Sequence, residues 1–308
     1  MKASTSSDYT VALNKKRQLE TYHIKKAITP WLFLLPAIVT TFVLRYYTIF
    51  QAFRISFYQY DVSNPPGRFV GFQKFIELFK NSDYWQAWKN TIVFLGLMIV
   101  LNFFVPIIQA LLLGEITKLK GLFSTLYILP AVIPLTINIA LWKWVWEPEY
   151  GVANYFLKIF GAEPVAWLSS SQWVKFCIIF PGIIGGGFAV LLYLAAILAI
   201  SDDVKEAAKL DGCTGIKRIF YITLPNIKFI ILIQFVLTTI SALQLLDLPF
   251  QFTDGAPAGA SRSLPLFIYH YYTRNYDYGQ GSAAAMTLML IISIITYIQL
   301  RLNNQESE

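Results

Sequence analysis

The residues able to do chemistry in this chain fall in two places. The first is a polar loop, Ser201-Asp202-Asp203-Val204-Lys205-Glu206-Ala207-Ala208-Lys209-Leu210-Asp211-Gly212, continuing from Cys213 to Tyr221 and closing on Ile222-Thr223-Leu224-Pro225. Its residue types suit recognition, not catalysis. Asp202 or Asp203 is expected to cap a short helix through Leu210, Gly212 to end it with a positive φ, and Pro225 to stop a second helix. On that second helix Ile216, Ile219 and Phe220 share a face, while Lys217 and Arg218 point away. One face therefore wants a partner, and the pattern by itself fits the inner membrane surface as well as it fits another protein.

The second place is a scatter of polar residues in otherwise apolar sequence: Asn138, Tyr193, Gln234, Thr238, Thr239, Ser241, Gln244 and Asp247. A hydrophilic solute crossing hydrocarbon needs such groups to replace the hydrogen bonds it loses from water. Gln234, Thr238 and Ser241 recur at helical spacing and lie close to one stripe, with Asp247 further along. Substrate contact and hydrogen-bonded glue between helices fit this stripe equally. No Gly-x4-Gly-Lys-[Ser/Thr] phosphate loop, no His-Glu-x-x-His, no paired Cys or His spacing and no nucleophile in a catalytic setting occurs. The reading is of a chain that is no enzyme, with no catalytic residues and no metal site. Cys177 and Cys213 read as plain thiols.

The elements that must position these residues are membrane helices. The chain is 56% hydrophobic and 14% charged over 308 residues, far from the balance of a soluble domain. Crossing a bilayer takes roughly 20 apolar residues of helix, and six stretches approach that length: Trp31 to Phe50, Thr91 to Leu113, Leu122 to Leu141, Phe176 to Ile200, Phe229 to Leu246 and Ala283 to Leu300. The expected fold is all-α, a polytopic membrane protein of about six transmembrane helices. Arg45, the one ionisable residue within these spans, is placed to snorkel toward headgroups.

Charge sets the orientation. The tails 1–30 and 301–308 with loops 114–121 and 201–228 hold 14 Lys and Arg in 74 positions, against 10 in 110 for the other loops. The denser set is read as cytoplasmic, with both termini inside. Topology accounts for the net charge of +7 without nucleic acid. Lys15, Lys16, Arg17, Lys25 and Lys26 precede the first span with no small-residue cleavage site after it, so an uncleaved anchor is expected. The chain divides into an N-terminal tail 1–30, a transmembrane domain 31–300 and a C-terminal tail 301–308. In the long outer loops, Phe72 to Phe79 and Tyr155 to Phe160 are expected to form short interfacial helices. Trp85, Trp88, Trp142, Trp144, Trp146, Trp167 and Trp173 are read as an aromatic belt, with carbohydrate stacking as the alternative. Gly185-Gly186-Gly187 after Pro181-Gly182 permits close helix packing or a hinge.

The loop 201–225 resembles the EAA motif of binding-protein-dependent ABC-importer permeases: Glu-Ala-Ala, three residues, Gly, nine residues, Ile, one residue, Leu-Pro. Glu206, Ala207, Ala208, Gly212, Ile222, Leu224 and Pro225 occupy the fixed positions in register, and Asp211 agrees with the common form. The segments Thr253-Asp254-Gly255-Ala256-Pro257, Ile268-Tyr269 and Tyr278-Gly279-Gln280-Gly281-Ser282-Ala283-Ala284 are similar to the region before the last span of sugar-type permeases. Ala256 stands where a second glycine is usual, and Thr48 where a first-span proline is common. The likeness extends from Leu35-Pro36 through Phe57 and Tyr58 to the sixth span. It is nearest the first of two nonidentical permeases in carbohydrate importers of the maltose and glycerol-phosphate type.

That resemblance implies a coupling helix in loop 201–225 seated in a cytoplasmic ATPase dimer, a second homologous permease, and an extracytoplasmic solute-binding protein. It places the chain in a bacterial inner or plasma membrane, in contact with lipid. The chain itself would bind no cofactor; ATP and Mg would belong to the ATPase. An amino-acid or phosphate permease is the nearer rival. An ion-coupled secondary transporter would need midplane ionisable residues and inverted repeats, which are not visible, and a membrane-bound enzyme would leave the loop unexplained.

Overall fold

The computed structural model describes residues 30–116, 118 and 120–305; expectations for the N-terminal tail lie outside them. Two compact units divide between Arg54 and Ile55. The described residues of the first form helix α1, Pro30–Ile55, which ends one residue past that boundary, is predominantly apolar and is loosened into a π-helical stretch at Phe42–Tyr47.

The second unit begins with a two-stranded antiparallel hairpin, β1 Tyr58–Gln59 against β2 Arg68–Phe69. The amphipathic helix α2, Gln73–Lys80, follows, then the long helix α3, Ser82–Glu115. Asn81 starts α3 by accepting a hydrogen bond from the Asp83 N–H at 2.8 Å. Next come α4 Lys120–Val132, α5 Leu135–Val145 and the short α6 Val152–Ile159. The chain then forms α7 Val174–Ile184, α8 Gly187–Leu198, α9 Asp202–Leu210, α10 Gly215–Asn226 and α11 Lys228–Leu243. It closes with α12 Asp247–Thr253, α13 Leu264–Thr273 and α14 Tyr278–Gln305. Helices α2 and α6 fall on the two amphipathic stretches expected from the sequence.

Three helices (α1, α3 and α14) are long and apolar enough to cross a membrane unbroken, and the count reaches six when each bent pair is one span. The pairs are α4 with α5, bent by 97°, α7 with α8, bent by 45°, and α10 with α11, bent by 72°. Proline explains part of this. Pro134 lies in the first break, and two π-helical turns, Ile99–Phe104 and Ile219–Thr223, each lie just before a proline, Pro106 and Pro225. A proline lacks the N–H that would bond the carbonyl four residues back, and a widened turn absorbs the mismatch. Pro225 thus does not stop its helix, which runs on to Asn226 before the bend. The fifth expected span also ends early, at Leu243, because Gln244 takes the non-helical capping conformation (φ −99°, ψ 15°).

Close backbone packing accounts for the glycine-rich fourth span. A Cβ on Gly187 would overlap the Tyr127 carbonyl of α4, and one on Gly182 would overlap the Asn102 side chain of α3. The tryptophans sort by burial. Trp85 and Trp144 are exposed, whereas Trp88 is buried and Trp146 is only 6% exposed. Trp146 stacks on Trp142 at 5.7 Å and meets Trp167 at 5.4 Å, in a core with Phe180 and Ile178. Four of the seven expected belt residues, Trp88, Trp142, Trp146 and Trp167, are therefore packing, since indole supplies apolar area wherever two helices leave room for it.

Candidate coupling loop and polar lining

Helix α9 starts after Ser201, whose extended backbone (φ −60°, ψ 148°) makes it the residue before the first turn; Asp202 and Asp203 stand inside that turn. Neither is the cap. Both carboxylates nevertheless favour the helix by facing its positive end, and Lys205 pairs with Asp202 at 3.0 Å. The far end closes as a Schellman turn: the Gly212 N–H bonds the Lys209 carbonyl at 3.1 Å and the Cys213 N–H bonds the Ala208 carbonyl at 2.7 Å. Gly212 takes φ +70° with open space around it, so glycine is required there by conformation and not by crowding. Gly215 repeats the left-handed turn at φ +56° and launches α10.

The motif residues divide into two sets. Ala208 is buried, Leu224 packs on the core built by Phe103, Ile107, Val190 and Leu194, and Ile222 lines a small cavity of about 210 Å³ between loop and bundle. Glu206, Ala207, Asp211, Gly212 and Pro225 are exposed. Beside them Leu210 is 89%, Ile216 73%, Phe220 63% and Tyr221 74% exposed. Ile219, expected on the exposed face, is only partly exposed and lines the cavity instead, because the π-helical turn that begins there rotates it inward. Arg218 pairs with Glu115 at the end of α3, fastening the loop to the bundle. The loop thus has an inner face that anchors and an outer apolar face that the described residues leave uncovered.

The polar residues of the spans separate in the same way. Tyr193 is 1% exposed within the packed core between α3, α8 and α11. Thr239 is also interior: its hydroxyl donates to the Phe235 carbonyl at 2.8 Å and accepts from the Gln299 amide at 3.1 Å, joining α11 to α14. Gln234 and Thr238 are partly exposed, and Ser241, Gln244 and Asp247 exposed. The stripe is continuous only through Ser241, because Gln244 caps α11 and Asp247 opens α12. Asn138 lines a separate cavity of about 490 Å³ at the breaks of α4–α5 and α7–α8, with Asn102, Pro130, Gly182 and Gly186. Asn102 escaped the sequence reading. Its Oδ1 is buried without a hydrogen-bond partner among the described residues, and the signal was a lone asparagine inside the span Thr91 to Leu113. Gln109 in the same span was also missed; it bonds the Ile183 carbonyl at 3.2 Å.

At the end of the bundle opposite the coupling loop, the segment 253–263 is laced onto α3. The Asn90 amide donates to the carbonyls of Gly259 at 2.8 Å and Arg262 at 3.0 Å, Lys175 donates to the Ala260 carbonyl at 2.8 Å, and Thr91 accepts from the Leu264 N–H at 2.8 Å. Asp254 and Gly255 carry the positive φ values in Thr253-Asp254-Gly255-Ala256-Pro257, whereas Ala256 does not, so its backbone conformation suits alanine. Burial works against Asp254 ionisation, but hydrogen bonds and charge from Arg274 and His270 outweigh it and hold the carboxyl below its ordinary value. His270, bonded to Asp254 at 2.8 Å, is shifted down, first by burial and then by the neighbouring arginines, against the pull of Asp254. In the Tyr278 to Ala284 segment, a Cβ on Gly279 would overlap the Tyr58 carbonyl, Ser282 bonds the Tyr272 hydroxyl at 2.6 Å, and Ala283 and Ala284 are fully buried. Small residues are needed there because β1 and α13 lie against α14.

No group of three His, Cys, Asp or Glu side chains able to hold a metal occurs among the described residues. The family model described as "Binding-protein-dependent transport system inner membrane component" matches residues 110–306. The chain belongs to that family. This permease is 32% identical to the probable ABC transporter permease protein YurN of Bacillus subtilis, over 79% of this chain and 84% of that protein. It is 32% identical to the lactose transport system permease protein LacF of Rhizobium radiobacter, over 84% of this chain and 87% of that protein. Among solved structures it matches a chain of the bacterial alginate ABC transporter in complex with alginate pentasaccharide-bound periplasmic protein. The TM-score is 0.83 and the identity 25%, with 93% of this chain and 98% of that chain covered. The protein is a predominantly helical membrane permease of a transport system, and its family is one of transporters, not enzymes.

Proposed function

We propose that this permease carries a carbohydrate delivered by an extracytoplasmic binding protein, beside a second homologous permease, and that a separate ATPase dimer drives it through loop 201–225. The observation that carries the reading is the two-faced loop. Ala208, Ile222 and Leu224 hold it to the bundle while Leu210, Ile216, Phe220 and Tyr221 stand exposed beside Glu206, Ala207 and Asp211. An apolar face of that size on a rigid helix–turn–helix needs a partner. ATP and Mg belong to that partner; this chain transmits its movement. The excess of Lys and Arg on the loop side supports a cytoplasmic position for the loop and both tails.

The solute class rests on the relatives, one of them a lactose permease and another a chain of an alginate importer. The path we assign runs along Gln234, Thr238, Ser241, Gln244 and Asp247 and past Asn138 and Asn102, groups able to exchange hydrogen bonds with hydroxyls. Tyr193 and Thr239 support the walls from within. The test is affinity purification of the chain from its native membrane in mild detergent, as wild type and as Glu206→Ala/Gly212→Pro. An ATPase and a second permease accompanying wild type, with the ATPase lost from the variant, is the expected result. Wild type recovered alone, with uptake driven by an ion gradient, overturns the reading.

A further inference from the structure

The hairpin before α2 holds a polar pocket that the transport pathway does not include. It is a recess of about 720 Å³ whose lining includes Gln59, Tyr60, Asp61, Asn64, Arg68 and Tyr276. It lies at the end of the bundle opposite the coupling loop: β1 touches the start of α14 at Gly279, and Lys74 of the adjoining α2 pairs with Asp277 at 2.9 Å. Two tyrosines meet four planar polar side chains of both charges, the set that grips a ring bearing vicinal hydroxyls: aromatic faces against its C–H surface, amide, carboxylate and guanidinium groups at its edge.

Two features show a built site. Tyr276 is 67% exposed yet held at φ +54°, a left-handed conformation costly for a residue with a bulky side chain, and such outliers gather at ligand sites. No hydrogen bond among the described residues occupies the Arg68 guanidinium or the Asn64 amide, whereas the backbone beneath is fixed by the Gly67 N–H bonding the Asn64 carbonyl at 2.8 Å and by the Ser63 N–H bonding Asp61 at 2.8 Å. The Tyr60 ring is set edge-on against Tyr278 at 5.3 Å. Strained backbone, a braced floor and free polar tips together describe a receptor surface.

We infer that this pocket is a carbohydrate subsite on the outer face of the permease, which takes one sugar unit before the solute passes into the membrane. The inference deepens the carbohydrate reading and rests on it. The test uses the assembled transporter with its ATPase and partner permease in nanodiscs, without binding protein, and saturation-transfer NMR with lactose, maltose and alginate pentasaccharide as probes. Wild type should give transfer from at least one probe. Arg68→Ala and Tyr276→Gly should each weaken its affinity about fivefold or more, as loss of one charged hydrogen bond or one stacking face predicts, while ATPase activity stays at the wild-type level. Unchanged affinity in both variants overturns the subsite, even where Ser241→Leu abolishes sugar uptake and so sustains the carbohydrate reading. Loss of binding-protein docking in these variants, with sugar affinity unchanged, also overturns it and makes the pocket a protein contact. Absence of transfer from every probe, with no sugar uptake by the complete system, overturns both readings.

Discussion

Arg218, on the helix that follows the Gly212 turn, closes an ion pair with Glu115 at the last turn of α3. Glu115 is 64% exposed, so the pair adds little to stability, roughly 0–1 kcal/mol. Its value lies in position. Glu115→Gln should leave the melting temperature in detergent nearly unchanged while lowering the solute moved per ATP hydrolysed in proteoliposomes. Equal ratios for variant and wild type would remove any role for the pair in coupling.

Gly212 needs its left-handed backbone and nothing else. Gly212→Ala should cost roughly 1–2 kcal/mol of loop order and weaken retention of the ATPase. Gly212→Asn should do much less harm, because asparagine tolerates that conformation. Quantifying copurified ATPase for the two variants distinguishes a conformational requirement from a simple need for a small side chain, under which alanine would be the milder change.

Gly187 presents the opposite case, a glycine in an ordinary conformation pressed against the Tyr127 carbonyl. Gly187→Ala should abolish a sharp melting transition or expression of monodisperse protein, whereas Gly96→Ala, with nothing within 4 Å of the added carbon, should be neutral or slightly stabilising. Size-exclusion profiles after heating report both.

Along the path proposed on α11, function and support should separate. Gln244→Ala or Ser241→Leu should reduce uptake with assembly intact. Thr239→Val removes the bond from Gln299 and should destabilise by about 0.6 kcal/mol, with uptake changed little. A Thr239 variant that loses transport at full stability would move that residue onto the path.

The Asp254–His270–Arg274 cluster makes a pH prediction. Burial lowers the His270 pKa in the folded protein, so the folded state takes up its proton less readily than the unfolded chain. The stability this neutral imidazole supplies is complete above its ordinary value of about 6.5 and is lost as pH falls through the window below it. Asp254, also shifted down, keeps its contribution until its own ordinary value is passed at still lower pH. Melting temperatures measured from about pH 7.5 to about pH 5 should fall, and less so in His270→Gln. A parallel slope in the variant would assign the acid sensitivity elsewhere.

Hydropathy made the apolar helical stretches legible, and the spacing of Glu206 and Gly212 made the helix–turn–helix of loop 201–225 legible, because both depend on local chemistry. What could not be read was how the spans break. Pro134 was visible, but the 97° bend that follows depends on how α5 meets α12 and α6. Composition likewise does not distinguish a tryptophan at a headgroup from one in a core, so Trp146 and Trp85 looked alike. Tyr193 drew attention as a polar residue in a span, yet the neighbours that bury it are far away in sequence. Asn102 was the reverse: one of two amide residues in a well-defined span, made conspicuous by the close approach of Gly182.

Helix α3 is tied at both extremities, by Glu115 to Arg218 and by Asn90 to the carbonyls of Gly259 and Arg262. At about 1.5 Å per residue these ties are roughly 38 Å apart along one rod, interrupted by the single π-helical turn at Ile99–Phe104. A strut pinned at each end acts like the connecting rod of an engine. Its two ends keep a fixed spacing, so a displacement of the loop at Arg218 is felt at the segment 253–263, and the widened turn in the middle is where the rod can give.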